Sequence, residues 1–145
     1  MAGRPWLTFG GTGSSVALRL EVPGRPEQLP PLRHALHAWL QAAGANEDDV
    51  AAMQIAAGEA AANAVEHAYE GVEPGPVRLA ATLESGNVVR VEIGDGGRWR
   101  PPRELNNGRG RGLLLMRECA DEVRLACSPR GTTVVLRLRL GMARD

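Results

Sequence analysis

The segment from Glu59 to His67 limits the possible folds of this chain more than any other, because it sets polar side chains among alanines at helical spacing. At about 100° per residue, Glu59, Asn63, Glu66 and His67 fall within roughly one quadrant of a helix. We expect the opposite, apolar side to pack on the rest of the domain. Small residues flank the polar face and are expected to leave room for a ligand: Ala52, Ala56 and Ala62. An ordinary solvated helix face is the alternative interpretation.

Length and charge narrow the possible roles of the chain. Its 145 residues are enough for one domain with a substantial core. Basic and acidic residues balance at 17 each, so the net charge favours neither nucleic acid nor an anionic membrane as the main partner. A protein or a small molecule is the expected partner. Residues 1–15 are expected to form a flexible leader, and residues 16–145 a single domain.

All 17 of the lysine-plus-arginine positions are arginine, and this absence of lysine excludes several mechanisms. A P-loop site and a protein kinase of the eukaryotic type each need a lysine beside the phosphates, and a Schiff-base enzyme needs an amine. The two cysteines, Cys119 and Cys127, fit neither a metal pattern nor a disulfide framework. We expect both thiols to be reduced and packed, as in a cytoplasmic protein.

Apolar periodicity predicts an alternation of strands and helices along the chain. The predicted strands cover residues 16–22, 77–83, 88–93, 122–127 and 132–140, and the predicted helices cover residues 27–43, 46–69 and 113–120. Asn46 is the expected N-cap of the second helix. The segment 98–111, rich in Arg, Pro, Asn and Gly, is expected to be irregular. The pattern as a whole predicts a layered α/β domain.

Two glycine-containing clusters carry further chemistry. Asp95 is followed by Gly96 and Gly97 at the end of a predicted strand, where its carboxylate could accept a hydrogen bond from an exocyclic amine such as that of adenine. An ordinary turn is the alternative there. The cluster 108–112 precedes an apolar helix, so its backbone N–H groups could converge on phosphate oxygens. A flexible loop is the alternative for this cluster, and its spacing excludes a dinucleotide fingerprint.

The order of these clusters resembles the GHKL, or Bergerat-fold, ATP-binding proteins, and within them the bacterial anti-sigma-factor serine kinases of the RsbW and SpoIIAB type. The resemblance covers roughly residues 16–140. It rests on four motifs: Glu59-x3-Asn63-x3-His67-Ala68-Tyr69; Asp95-Gly96-Gly97; Gly110-Arg111-Gly112-Leu113-Leu114-Leu115-Met116 with Asp121-Glu122-Val123; and Gly131-Thr132-Thr133-Val134-Val135-Leu136. It implies an α/β (α+β) two-layer sandwich, a mixed, mostly antiparallel sheet covered on one face by helices.

The resemblance also implies two cofactors, ATP and Mg²⁺, and a role for each matching residue. Asn63 would coordinate Mg²⁺ through its amide oxygen, and Glu59 would be the general base. Arg109 would stabilise charge that develops during transfer. The nucleotide itself would contact the base-binding residues Asp95, Gly97, Thr132 and Thr133 and the phosphate-binding stretch of Gly110, Arg111, Gly112 and Leu113. His67 is expected to pack at the helix end rather than to react.

One position departs from the family pattern. Trp99 stands where the last glycine of the first glycine box is expected, which leaves the conformation of that loop and the nucleotide affinity open. A lid over the adenine, a docking residue for a partner and plain packing are the three interpretations of this side chain.

The resemblance implies an ATP-dependent serine/threonine kinase that acts as an anti-sigma factor. Its substrate would be a STAS-domain anti-anti-sigma protein, and it would hold a sigma factor inactive while that protein is phosphorylated. We expect a cytoplasmic homodimer with no direct contact to nucleic acid or membrane. The alternative is a nucleotide-gated partner switch that binds ATP and a regulator or phosphatase but transfers phosphate slowly or never.

The catalytic domain of a two-component histidine kinase is a third, less favoured hypothesis. It needs an upstream dimerisation helix with a phosphoacceptor histidine, for which only His34 and His37 are candidates. Both fall on a predicted helix within the domain, where surface histidines are the simpler interpretation.

Overall fold

Five strands form one sheet, and the helices pack on one of its faces. The computed structural model describes residues 17–68, 75–96 and 110–142. The elements in chain order are β1 (Ala17–Pro23), a 3-10 turn (Pro26–Gln28), α1 (Leu29–Ala42), α2 (Glu47–Asn63), a π-helix (Ala64–Ala68), β2 (Pro76–Glu84), β3 (Val88–Asp95), α3 (Gly110–Cys119), β4 (Glu122–Ser128) and β5 (Gly131–Arg139). None of the helices in these ranges is long and apolar enough to cross a membrane.

The strands follow the spatial order β1-β2-β3-β5-β4, and each of the four pairings is antiparallel. The two-layer class is therefore confirmed, whereas the expectation of a mixed sheet is wrong for the described strands. Tight hairpins make this arrangement possible, because a short loop can only join antiparallel neighbours. In the β2–β3 hairpin, Gly86 and Asn87 take φ values of +81° and +62°, as a turn matched to the twist of the strands requires.

Alternation along the strands decides which side chains form the core. Leu18, Leu20 and Val22 of β1 are buried, and the same period of two recurs on β2, β3 and β5. The helices close this core from one side. Their buried apolar residues on α1 are Leu32, Leu36, Trp39 and Leu40, and those on α2 are Val50, Met53, Ala56, Ala57, Ala60 and Ala61.

The opposite face of the sheet carries ion pairs between side chains of different strands. Arg137 on β5 contacts Glu84 at 3.0 Å and Glu122 at 3.1 Å. A hydrogen bond from Arg124, more than the neighbouring Arg137, holds the pKa of Glu122 below its ordinary value. These pairs lie at a partly exposed surface, so each adds little to the stability of the fold.

The start of α2 is fixed by a capping box, which confirms the predicted N-cap at Asn46. The Asn46 side chain accepts the backbone N–H of Asp49 at 2.8 Å, and the Asp49 carboxylate accepts the N–H of Asn46 at 3.3 Å. Asp49 is fully buried and also accepts the N–H of Gly141 at 3.0 Å. The Asp49 carboxylate therefore links the start of α2 to the chain just after β5.

Four predicted features of the helices and cysteines are wrong. The second helix changes from an α-helix to a π-helix at Ala64. A π-helix rotates through a smaller angle per residue, so Glu66 does not have the angular position around the helix that was predicted for it. Ala56 is buried in the core rather than beside a ligand. The helix predicted to start at residue 113 already includes Gly110, the first residue described after residue 96. Cys127 is exposed rather than packed, because its strand lies at the sheet edge.

Candidate functional site

Glu59 and Asn63 lie one turn apart on α2, and both side chains are half-buried against the first turn of α3. A Cβ atom built on Gly112 would lie 3.0 Å from Glu59 Oε2 and 3.5 Å from Asn63 Nδ2. Glycine at this position therefore allows α3 to approach the two polar side chains directly. The structure thus brings together three residues that the sequence assigned to one site, although they come from two separate motifs.

The first turn of α3 gives this site an anion-binding character. The first four backbone N–H groups of a helix have no partner within it, and the helix dipole adds partial positive charge there. Gly110 and Gly112 both fall in the first described turn of α3, and the missing Cβ of Gly112 lets the helix backbone approach Glu59 and Asn63 of α2. A phosphate group beside Asn63 would meet backbone donors of the kind that bind phosphate at helix N-termini.

Asp95 ends β3 on the face of the sheet that the helices cover. It lies opposite Val77 on one side and opposite Thr132 on the other, and Thr132 in turn lies opposite Cys127. Directly opposed residues of antiparallel strands point their side chains to the same face. Because Val77 is fully buried under the helices, the row of Asp95, Thr132 and Cys127 faces the helix layer as well.

The pKa of the Cys127 thiol is shifted by its burial and by the other two residues of this row. Partial burial raises its pKa, a hydrogen bond with Thr132 opposes the rise, and the negative charge of Asp95 adds to it. The strand register sets Asp95 opposite Thr132, and Thr132 opposite Cys127. The expected carboxylate and hydroxyl of a base-binding pocket are therefore side by side.

Gly131 holds the backbone of Asp95 close to the start of β5. Its φ of +147° lies in the region that favours glycine, and a Cβ at this position would overlap the carbonyl oxygen of Asp95. The same Cβ would lie 3.1 Å from the Cα of Gly96. The Gly-Thr strand and the first glycine box therefore meet through backbone contacts that no other residue would permit.

Other residues predicted for the site are placed differently or fall outside the described ranges. Thr133 alternates with Thr132 and so points to the opposite face of the sheet, where its Oγ1 lies near Gly94. Leu113 lies half-buried on α3. Three of the residues singled out in the sequence lie outside the described ranges: Gly97, Trp99 and Arg109. The side chains of His67 and Arg111 also lie outside what the structure describes.

A cavity of about 460 Å³ lies beside Glu59, between α1 and α2. Leu29 and Arg33 contribute to its wall from α1, and Ile55, Gly58 and Glu59 contribute from α2. The sequence does not reveal this cavity, because it gives no hint of which helices become neighbours. The one available signal was Gly58, a glycine in the interior of a helix made mostly of alanine.

The comparisons with known proteins agree with this geometry. The sequence model of the family described as "Histidine kinase-like ATPase domain" matches residues 22–138. The chain belongs to that family. Two relatives, each named serine-protein kinase RsbW, come from Bacillus velezensis and Bacillus subtilis. Each is 30% identical to this histidine kinase-like ATPase domain over 82% of this chain and 82% of the relative.

Solved structures give the same assignment. The RsbU and RsbW domains of Rv1364c from Mycobacterium tuberculosis superpose with a TM-score of 0.72 at 28% identity. That match covers 89% of this chain and 34% of the other, so this chain spans about a third of that structure. A histidine kinase domain from Erythrobacter litoralis, with a TM-score of 0.56 at 21% identity, shares the fold alone. The predicted Bergerat fold and the resemblance to the RsbW type are confirmed.

The described part of the site suits a magnesium nucleotide. No group of three or more His, Cys, Asp or Glu side chains that could hold a metal ion occurs in residues 17–68, 75–96 and 110–142. The Asn63 amide beside the N-terminus of α3 is a hard oxygen donor of the kind that holds Mg²⁺ together with phosphates and water. Asp95 and Thr132, which are opposite each other, are a carboxylate acceptor and a hydroxyl of the kind that can hydrogen-bond to an adenine edge.

Proposed function

We propose that this chain is an ATP-dependent serine/threonine protein kinase that acts as an anti-sigma factor and phosphorylates a STAS-domain anti-anti-sigma protein. The observation that carries the proposal is the contact of Glu59 and Asn63 with the first turn of α3. The carboxylate, the amide and the glycine of the helix turn lie close together there, as metal-assisted phosphate transfer would need. The serine-protein kinase name of the RsbW relatives supports the same reaction class.

Each residue has one role in the proposed reaction. Asp95 and Thr132 hold the adenine, and the first turn of α3 holds the phosphates with Gly110 and Gly112. Asn63 holds Mg²⁺, which when bound neutralises phosphate charge. Gly97, Arg109, Arg111 and Leu113 complete the proposed nucleotide contacts, with Arg109 stabilising the charge that develops.

Glu59 acts on the acceptor hydroxyl. The seryl or threonyl oxygen forms a bond to the γ-phosphorus, the bond from that phosphorus to the β,γ-bridging oxygen breaks, and ADP leaves. The hydroxyl proton passes to the Glu59 carboxylate. A carboxylate one turn from Asn63 is within reach of a hydroxyl beside the γ-phosphate. We also propose that the protein works in the cytoplasm as a homodimer.

The test combines nucleotide binding with phosphate transfer. Wild type, Glu59→Gln and Asp95→Asn are titrated with Mg-ATP by calorimetry and then incubated with purified STAS-domain proteins of the source organism. Glu59→Gln is expected to bind ATP as wild type does and to transfer no phosphate, whereas Asp95→Asn loses ATP binding. Mass spectrometry then identifies the modified residue.

Glu66→Gln is the matched control, because Glu66 is an exposed glutamate just beyond the end of α2. It should bind ATP and transfer phosphate as wild type does. Equal loss of ATP binding in Glu59→Gln and Asp95→Asn contradicts the assigned roles. Wild type that binds ATP and a STAS protein without transfer indicates the nucleotide-gated partner switch instead of a kinase.

A further inference from the structure

We propose that Cys127 is a positioning residue for nucleotide selection, because its sulfur holds the Thr132 hydroxyl in the orientation that favours a 6-aminopurine over a 6-oxopurine. The side chains concerned are Asp95, Thr132 and Cys127, which lie in one row across β3, β5 and β4. We call these three residues the base row. The inference rests on the proposed function, because it deepens the nucleotide-binding role given there to Asp95 and Thr132.

The first observation is the register of the base row. Thr132 lies opposite Asp95 of β3 on one side and opposite Cys127 of β4 on the other. The Cβ atoms of directly opposed residues in antiparallel strands are about 4.5–5.5 Å apart. The Thr132 hydroxyl is therefore within reach of both neighbours, whereas Asp95 and Cys127 are separated by the strand that lies between them.

The second observation is the hydrogen bonding of the turn that joins β4 to β5. The Ser128 hydroxyl donates to the carbonyl oxygen of Gly131 at 3.3 Å and accepts the backbone N–H of Arg130 at 3.1 Å. Gly131 has no Cβ, so the carbonyl of Asp95 approaches this turn closely. The turn therefore holds the ends of all three strands together where the base row lies.

The third observation is the hydrogen bond between Thr132 and Cys127. Burial raises the pKa of the Cys127 thiol, and the hydrogen bond with Thr132 lowers it in part. A hydrogen bond that favours the thiolate is one that the sulfur accepts, so the Thr132 hydroxyl is the donor. With its proton directed at the sulfur, the Thr132 oxygen presents its lone pairs to the rest of the base row.

This arrangement selects a base by its group at position 6. The Asp95 carboxylate and the Thr132 oxygen are two acceptors that lie side by side. The 6-amino group of adenine has two N–H donors and matches such a pair, directly or through a water molecule. A 6-oxo group has no donor and would bring a third acceptor against the other two, which leaves polar groups unpaired. The base row therefore fits a 6-aminopurine.

Loss of the Cys127 sulfur would release the Thr132 proton. The hydroxyl would then donate to Asp95, which takes up a lone pair that the amine needs, or donate to a 6-oxo group. Both changes reduce the advantage of the amine. Cys127 is exposed on the edge strand β4, so its replacement changes nucleotide selection without opening the core.

The variants that test the inference are Cys127→Ala, Cys127→Ser and Cys119→Ala. Cys127→Ser keeps a hydrogen-bond acceptor in place, and Cys119→Ala is the matched control, because it removes the other thiol, on α3. Each variant of the full chain is titrated by calorimetry with three magnesium nucleotides. These are ATP, inosine triphosphate, which has a 6-oxo group, and purine riboside triphosphate, which has no group at position 6.

We expect Cys127→Ala to reduce the preference for ATP over inosine triphosphate, measured as the ratio of their Kd values, by about three- to tenfold. This is the contribution of one hydrogen bond. Cys127→Ser and Cys119→Ala should keep the wild-type ratio. The Kd of Cys127→Ala for purine riboside triphosphate should equal that of wild type, and so should its urea midpoint, because the thiol is exposed.

A wild-type Kd ratio in Cys127→Ala overturns the inference, and so does a reduced ratio in Cys127→Ser. An equal loss of affinity for all three nucleotides also overturns it, because that result indicates a general structural role. Failure of the proposed function gives a different result. If wild type binds ATP but phosphorylates no STAS-domain protein, the kinase proposal fails, and the Kd ratios still decide the role of Cys127. If wild type binds none of the three nucleotides, both proposals are overturned.

Discussion

Replacement of Gly131 by alanine should destabilise the protein strongly, because this glycine meets two separate requirements. Its φ of +147° is strained for any residue with a Cβ, which costs about 1–3 kcal/mol. The new Cβ would also overlap the carbonyl oxygen of Asp95, and overpacking of this kind costs about 1–3 kcal/mol more. The expected loss in the free energy of unfolding is therefore about 2–6 kcal/mol. This is a large part of the roughly 5–15 kcal/mol by which a typical domain is stable.

Gly86→Ala provides a control that separates the two costs. Gly86 also lies in a hairpin turn and has a φ of +81°, but a Cβ there would meet no atom within 4 Å. Only backbone strain should appear, about 1–2 kcal/mol. The comparison of Gly131→Ala with Gly86→Ala thus isolates the contact with Asp95.

Urea unfolding followed by circular dichroism measures both variants, with the m-value as a check that the same surface is exposed on unfolding. In urea-free buffer, where Gly131→Ala is folded, its affinity for ATP should also fall, because the strand end that carries Asp95 has been pushed aside. If the two alanine variants lose the same free energy of unfolding, the contact of Gly131 with Asp95 is not what fixes this end of the sheet.

Three further outcomes are expected. Gly112→Ala should lower kcat for phosphate transfer about tenfold by displacing Glu59, while the free energy of unfolding changes by less than about 1 kcal/mol; kinetics and urea unfolding measure the two effects. Asp49→Ala should lower the free energy of unfolding by about 2 kcal/mol or more, since a helix cap and a buried acceptor are lost. Asp48→Ala, at an exposed neighbouring position, should lower it by less than about 1 kcal/mol. The pKa of Glu122 is lowered in the folded state, so its carboxylate stabilises the fold above the unfolded pKa of about 4 and loses that effect as pH falls through the lowered value. The urea midpoint of Glu122→Gln should therefore lie below that of wild type near pH 7 and equal it in acid.

Much of the fold could be predicted because its signals are local. The period of two in β1 and β3 decides which side chains face the core, and a capping residue such as Asn46 acts within its own turn. The turn residues of the two hairpins are local in the same way, since they adjoin the strands that they join. The π-helix at Ala64–Ala68 could not be predicted, because apolar spacing does not reveal whether a backbone N–H bonds to the fourth or the fifth residue before it.

The sequence by itself determined the chemical groups of the candidate site and their order along the chain. A carboxylate and an amide four residues apart must lie one turn apart once α2 forms, so the pair of Glu59 and Asn63 needed no tertiary information. Only the tertiary structure decided which glycines these groups meet. Gly112 reaches Glu59, and Gly131 reaches Asp95, through the packing of elements that are distant in the sequence. Such contacts depend on the distance between packed backbones, which side-chain periodicity does not encode.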